Sequence, residues 1–343
     1  MKRKIHLLSA ILAAAALALL IIDTKTAYLG AKAGLSLCTE VIIPSLFPFF
    51  VFSNYLCSTL MNQSIVGATI LRKWLHIPAG CESLLIVGLL GGYPVGAQLI
   101  AHSCKDNQID MKTGHILLGY CSNAGPAFIF GVAGSLFTAK WITFSLWVIH
   151  ICSALITGFL LPRPPVTASK YTQKQSASII QSVRSSINAC SSVCAWVILF
   201  RVLISYIDKV FISSKSSILS TVIKGILELS NGCLQLIAIR DEAIRFLLCS
   251  LFLAFGGLCV LLQTASVTAN IGLGFYLPGK ILQACISVLL SLTLIPILFS
   301  VESLSPTDYL SISSLCMVMI LLVKIAFKKR WKFDRESFIM FTF

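Results

Sequence analysis

Two interrupted apolar runs carry the residues whose types and spacing suit chemistry. The first reads Leu89-Leu90-Gly91-Gly92-Tyr93-Pro94-Val95-Gly96, and the second Leu227-Glu228-Leu229-Ser230-Asn231-Gly232. Each is followed by another interruption: Cys121-Ser122-Asn123-Ala124-Gly125-Pro126, then Ala254-Phe255-Gly256-Gly257 leading to Gln263-Thr264-Ala265-Ser266. Pro94 and Pro126 stand 32 positions apart, as do Asn231 and Gln263. Broken helices in corresponding places of two halves mark a solute site, because each break frees backbone N–H and C=O groups at membrane depth. The N–H groups of half-helix N-termini would offer partial positive charge to an anion. The candidate solute-binding set is therefore Gly91, Gly92, Tyr93, Pro94, Ser122, Asn123, Gly125, Pro126, Glu228, Ser230, Asn231, Gly232, Gln263 and Thr264.

Each has a plainer alternative. Gly91, Gly92 and Gly96 also permit close helix packing, and Asn123 also serves as interhelical glue. Glu228 is the foremost single candidate, since an ionisable group inside a membrane segment is costly and usually functional. It would take up a coupling proton or sodium ion; the alternative is an ion pair with Lys224, one helical turn earlier. Arg201 either meets an anion or snorkels to an interface. Glu40 and Glu82 stand at segment starts and read as interfacial. The aromatics from Phe47 to Phe52 read as lipid-facing or core residues.

The elements that must position these residues are membrane helices. The chain of 343 residues is 57% hydrophobic and 12% charged, with mean hydropathy +0.90. Apolar runs of about 20 residues, the span of a bilayer core, recur along it. The net charge of +14 sits at segment ends, which is the positive-inside pattern and not a nucleic-acid footprint. Ile5 to Ile22 reads as a retained first helix, with a cleaved signal peptide as the alternative. Thr24 to Glu40 lies near the surface or leads into the span Val41–Leu60, and Ile65 to Ile77 suits an interfacial helix. Further spans cover 114–137, 141–161, 186–207, 244–270, 275–300 and 309–327. If both interrupted segments cross the membrane there are ten spans; if both are re-entrant hairpins there are eight, and all the basic clusters fall on one side. Charge bias favours the hairpins. The fold expected is an all-α polytopic membrane protein with an inverted-topology repeat: an N-terminal helix (1–24), a first repeat (25–161), a cytoplasmic linker (162–185), a second, inverted repeat (186–300), and a C-terminal helix with basic tail (301–343).

The runs Ile43-Pro44-Ser45-Leu46-Phe47-Pro48-Phe49-Phe50, Gly92-Tyr93-Pro94-Val95-Gly96-Ala97, Cys121-Ser122-Asn123-Ala124-Gly125-Pro126 and Glu228-Leu229-Ser230-Asn231-Gly232 resemble the YlbJ-type sporulation integral membrane proteins. These form part of the nucleoside-recognition, or Gate, domain group, whose repeats are similar to the concentrative nucleoside transporter core. The resemblance covers roughly residues 25–300. It implies a role in endospore formation: transport of dipicolinate, a small aromatic dicarboxylate, across the outer forespore membrane. At 121–124 the family more often places Asn before a small hydroxyl residue, so the polar ligand there stays open.

No ATPase loop, dinucleotide fingerprint, nucleophile elbow or metal-ligand spacing occurs in the sequence. The expectation is a secondary or facilitated transporter of a small anionic solute, with no cofactor, no metal, no catalytic residues and no nucleic-acid partner. A non-transporting scaffold of the sporulation apparatus and a nucleoside transporter are the alternatives.

Overall fold

A backbone in lipid must satisfy its own hydrogen bonds, so apolar runs of this length fold as helices. The computed structural model describes residues 2–60, 68–75, 77, 81–163, 178–210, 218–299 and 305–333. In chain order its helices are α1 (Lys2–Ile22), α2 (Thr24–Leu37), α3 (Ile43–Leu60), α4 (Ala68–Leu75), α5 (Glu82–Gly91), α6 (Val95–Lys105), α7 (Met111–Leu118), α8 (Pro126–Gly131), α9 (Lys140–Leu160), α10 (Ile179–Val210), α11 (Ile218–Leu227), α12 (Leu229–Gln235), α13 (Glu242–Phe255), α14 (Gly257–Val267), α15 (Tyr276–Leu298) and α16 (Pro306–Phe333). Six stretches among the described residues are long and apolar enough to cross a bilayer: Thr24–Leu56, Lys140–Leu160, Ile179–Lys209, Glu242–Val267, Tyr276–Leu298 and Pro306–Phe327. The protein is an all-α, multi-pass integral membrane protein.

Two placements differ from the sequence reading, that of Glu40 and the start of α10. The helix over 24–40, expected near the surface or leading into the next span, does the latter: it continues through a π-helical turn, Cys38–Ile42, into α3. Its polar side chains are satisfied locally, Ser36 Oγ donating to Glu40 Oε1 at 2.7 Å and Thr39 Oγ1 to Leu35 O at 3.0 Å. Glu40 thus lies within one continuous helical stretch instead of at a segment start. The segment over 114–137, expected as a span broken at 121–126, is divided there into α7 and α8, neither of membrane length. Finally, α10 begins at Ile179, inside the expected linker. Ser178 and Gln181 form a reciprocal cap there, Ser178 N donating to Gln181 Oε1 and Gln181 N to Ser178 Oγ. Linker residues 164–177 and tail residues 334–343 lie outside the described residues.

Small residues set the packing. Gly30 and Gly34 put α2 against the backbone of α10, where added Cβ atoms would lie 2.9 Å from the Cα atoms of Val202 and Ile198. α9, α13 and α15 form the centre of the bundle, with Phe246, Phe252, Ile149 and Leu292 buried among them. Ser291 Oγ donates to Ser250 Oγ at 2.7 Å across α13 and α15.

Both interrupted segments fold back on themselves. A Cβ on Gly96 of α6 would lie 2.9 Å from Gly88 Cα of α5, eight residues away, a distance a continuous helix cannot give. A Cβ on Gly232 of α12 would overlap Gly225 Cα of α11. Two hairpins pinned by facing glycines result, one in each half of the chain.

Candidate functional site

The four breaks are built differently and meet at one place. In the first half, Gly92 ends α5 at φ 74°, a left-handed turn that favours glycine, and Val95 N closes the turn onto Gly92 O at 2.9 Å. The Tyr93-Pro94 peptide is cis. α7 ends at Leu118, and the chain runs irregularly to Gly125 before Pro126, pre-set in φ, opens α8. In the second half, Glu228 is extended at φ −147°, ψ 124° and caps α12. Gly256 and Gly257, at φ 82° and 83°, separate α13 from α14. These breaks interlock. A Cβ on Gly92 would lie 3.0 Å from Gly125 N, one on Gly256 would lie 3.1 Å from Tyr93 Oη, and one on Gly257 would lie 3.2 Å from the carbonyls of Gly225 and Ile226.

A cavity of about 40 Å³ opens where they meet, lined from α3, α5, the 92–93 and 124–125 segments, α8, α10, α12 and α14. Of the predicted residues, Gly91, Gly92, Tyr93, Gly125, Glu228, Ser230 and Gln263 line it. Phe49 and Phe50 line it as well, Phe50 also belonging to the buried core, in line with the core reading of the aromatics over 47–52. Pro94, Ser122, Asn123, Pro126, Asn231, Gly232 and Thr264 do not reach its wall. Pro94 and Pro126 shape helix starts, while Asn231 and Gly232 form the first turn of α12. At roughly 10–15 Å³ for each ordered water, the cavity holds water but no organic solute.

Glu228 departs from both sequence readings of its surroundings. Its Oε1 accepts from Ser230 N at 2.9 Å, and its Oε2 accepts from Asn231 N and Nδ2, both at 2.6 Å. The N-terminus of α12, expected to offer its N–H groups to an anion, is occupied by the protein's own carboxylate. Lys224 is not its ion-pair partner: Lys224 Nζ lies 2.7 Å from Asp208 Oδ1, on α10. Arg201 is also drawn to Asp208, at 3.9 Å, and does not line the cavity. Glu82, at the start of α5, lies 3.8 Å from Arg72. Gln263 and Thr264 sit inside unbroken α14, so the second break of this half lies at Gly256, and the equal spacing of 32 does not describe the structure.

Asn123 sits in a second polar cluster that the sequence reading missed. Its Oδ1 accepts from Lys280 Nζ at 3.2 Å and Gln283 Nε2 at 3.0 Å, and its Nδ2 donates to Tyr120 O at 2.7 Å. Lys280 Nζ also donates to Gln283 Oε1 at 2.7 Å. The ammonium stands 5.2 Å from the centroid of the Tyr93 ring and 5.9 Å from that of Tyr276. Gly279 makes this possible. A Cβ there would overlap Gly119 O, so only glycine lets α15 seat on the irregular 119–125 segment and bring Lys280 to Asn123. His150 of α9 joins the cluster, its Nε2 accepting from Ala124 N at 3.2 Å. A lysine early in an unbroken apolar helix, with no acidic residue within a turn, was the available signal.

The chain is similar to the sporulation integral membrane protein YlbJ of Bacillus subtilis (strain 168), 26% identical over 168 residues. The match covers 48% of this chain and spans about 41% of that protein's length. No family model matches the chain, and no solved structure matches it. The similarity agrees with the resemblance drawn from the motifs: a multi-pass integral membrane protein akin in sequence to a protein of sporulation.

Proposed function

We propose that the chain is a membrane transporter, not an enzyme, and that it moves a small anionic solute by secondary or facilitated transport. One observation carries this reading: breaks from both halves of the chain meet around a single cavity, and a buried carboxylate lies in its wall. Each half supplies a folded-back hairpin (α5–α6, α11–α12), a broken helix (α7–α8, α13–α14) and an unbroken one (α9, α15). That order supports an inverted-topology repeat of the concentrative nucleoside transporter type, with both hairpins re-entrant and their tips near the bilayer midplane. Irregular backbone at that depth is tolerated because protein surrounds it. The cavity is too small for an organic solute, so loading requires the hairpins to part, which is the motion alternating access needs.

The motif resemblance, and a relative named for sporulation, support dipicolinate crossing the outer forespore membrane as the cargo. Glu228 then serves as the group that takes up a coupling proton or sodium ion. The test is uptake into proteoliposomes of dipicolinate against nucleosides. Saturable dipicolinate flux is the expected result. Nucleoside flux would favour a nucleoside transporter, and flux of neither by correctly inserted protein would leave the scaffold reading.

A further inference from the structure

A buried amine keeps its proton only with counter-charge beside it, and Lys280 has none within ion-pairing distance among the described residues. Its side chain is fully buried. Its two hydrogen-bond acceptors, Asn123 Oδ1 and Gln283 Oε1, are neutral amide oxygens. Three N–H donors are available, so one is unused. The two tyrosine rings offer only their quadrupoles. Three buried polar atoms with no hydrogen-bond partner belong to residues of this cluster or to their chain neighbours: Tyr93 Oη, Ser122 Oγ and His150 Nδ1. Folded proteins leave few buried polar atoms unpaired. Here three belong to residues joined to the Lys280 cluster: Tyr93 through its ring, Ser122 by adjoining Asn123 in the chain, and His150 through Ala124.

We propose that Lys280, framed by Asn123 and Gln283, seats a carboxylate group of the solute, and that Tyr93 is the partition between this seat and the cavity. The inference rests on the transport reading and names the residue that selects for negative charge. Tyr93 fits the role because one side of it lines the cavity while its ring covers the Lys280 ammonium. Its free end lies against Gly256, where no side chain blocks it. A planar carboxylate would supply what the cluster lacks: an anionic acceptor for the unused N–H of Lys280 and for the hydroxyls of Ser122 and Tyr93. The seat discriminates by charge, because a neutral amide of the same shape leaves the ammonium uncompensated.

The experiment measures equilibrium binding of radiolabelled pyridine-2,6-dicarboxylate to the purified full chain in detergent, with benzoate and benzamide as competitors, alongside proteoliposome uptake. Benzoate should compete and benzamide should not. Lys280→Met should raise the half-saturating concentration at least tenfold, and Lys280→Arg should raise it less. Gln283→Glu tests the seat without touching Lys280: it places a carboxylate at the position of the 2.7 Å contact, so the internal ion pair should weaken binding as Lys280→Met does. Unchanged affinity in Lys280→Met or Gln283→Glu overturns the proposal. Equal competition by benzoate and benzamide overturns it too, and that comparison needs only the wild-type protein if the variants do not fold. Absence of dicarboxylate binding to wild type also overturns it. Lys280-dependent binding without flux would sink the transport reading and leave the seat; flux indifferent to Lys280 would do the reverse.

Discussion

Glu228→Gln separates coupling from capping. The carboxylate holds three donors through two acceptor oxygens, at 2.9, 2.6 and 2.6 Å. A carboxamide has one acceptor oxygen. Its best placement keeps that oxygen on Asn231 N and Nδ2 and turns its NH₂ toward Ser230 N, which loses its partner. One hydrogen bond to a charged group is worth about 1.5–3 kcal/mol. Part of that is returned, because burying a neutral amide costs less than burying a carboxylate. The net loss should be about 1–2 kcal/mol, so the variant folds, melts lower in detergent and still binds solute. If Glu228 takes up the coupling ion, gradient-driven accumulation disappears while binding remains. The assay compares uptake with and without an imposed pH or sodium gradient, beside the melting curve. Gradient-driven accumulation at the wild-type level, with stability alone reduced, would make Glu228 a helix cap and refute coupling. Lys224→Met should act separately, by releasing α11 from Asp208 on α10. Rescue of Glu228→Gln by Lys224→Met would contradict the geometry.

Asn231→Ala should lower transport with membrane abundance near normal, because a typical membrane hydrogen bond contributes only about 0.6 kcal/mol. Asn123→Ala should lower transport further, since it removes one of the two acceptors of Lys280; wild-type uptake by either variant would exclude that residue from the site. Gly232→Ala forces a Cβ into Gly225 Cα and should cost about 1–3 kcal/mol or more, read as lower abundance and faster proteolysis; an unaffected variant would mean that the hairpin is not closed there. Lys209, hydrogen-bonded to Asp23 at 2.6 Å, holds the Asp23 carboxyl below its usual range, with Thr26 assisting. A depressed folded value means the contact stabilises above the unfolded value, near pH 4, and is lost as pH falls through the lower folded one. Hydrogen exchange at Thr26 N, which Asp23 caps, should therefore rise on acidification below about pH 4, and Asp23→Asn should abolish that dependence.

The breaks at 91–94, 121–126, 228–232 and 254–257 were legible because glycine, proline and polar groups in an apolar run leave the helix ladder no cheap continuation. Gln263-Thr264-Ala265-Ser266 looked the same on paper and is not a break. There the Gln263 and Ser266 side chains bond back to their own helix, Ser266 Oγ to Gln263 O at 2.7 Å and Gln263 Nε2 to Cys259 Sγ at 3.3 Å, so the turn survives. Lys280 was missed for the opposite reason. It stands on an unbroken helix, and its partner Asn123 lies 157 positions away, a relation no local pattern contains.

Two of the buried charges, Glu228 and Lys280, define the problem any solute must meet in the proposed transporter. The expected attraction at a bare helix N-terminus is absent from α12, since Glu228 fills it. An anion in the cavity would instead face that carboxylate in the wall, with the Lys280 ammonium behind Tyr93. Unscreened by bulk water, the like-charge contact would oppose loading until a proton or sodium ion neutralised Glu228. On the proposed assignment, anion at Lys280 and cation at Glu228 would favour each other, and by linkage each would raise the other's affinity by the same factor. Dicarboxylate affinity should therefore rise with proton or sodium concentration in the wild-type protein. In Glu228→Gln, whose amide is already neutral, it should be high and indifferent to both. An affinity in Glu228→Gln that still tracks the cation would place the coupling ion elsewhere.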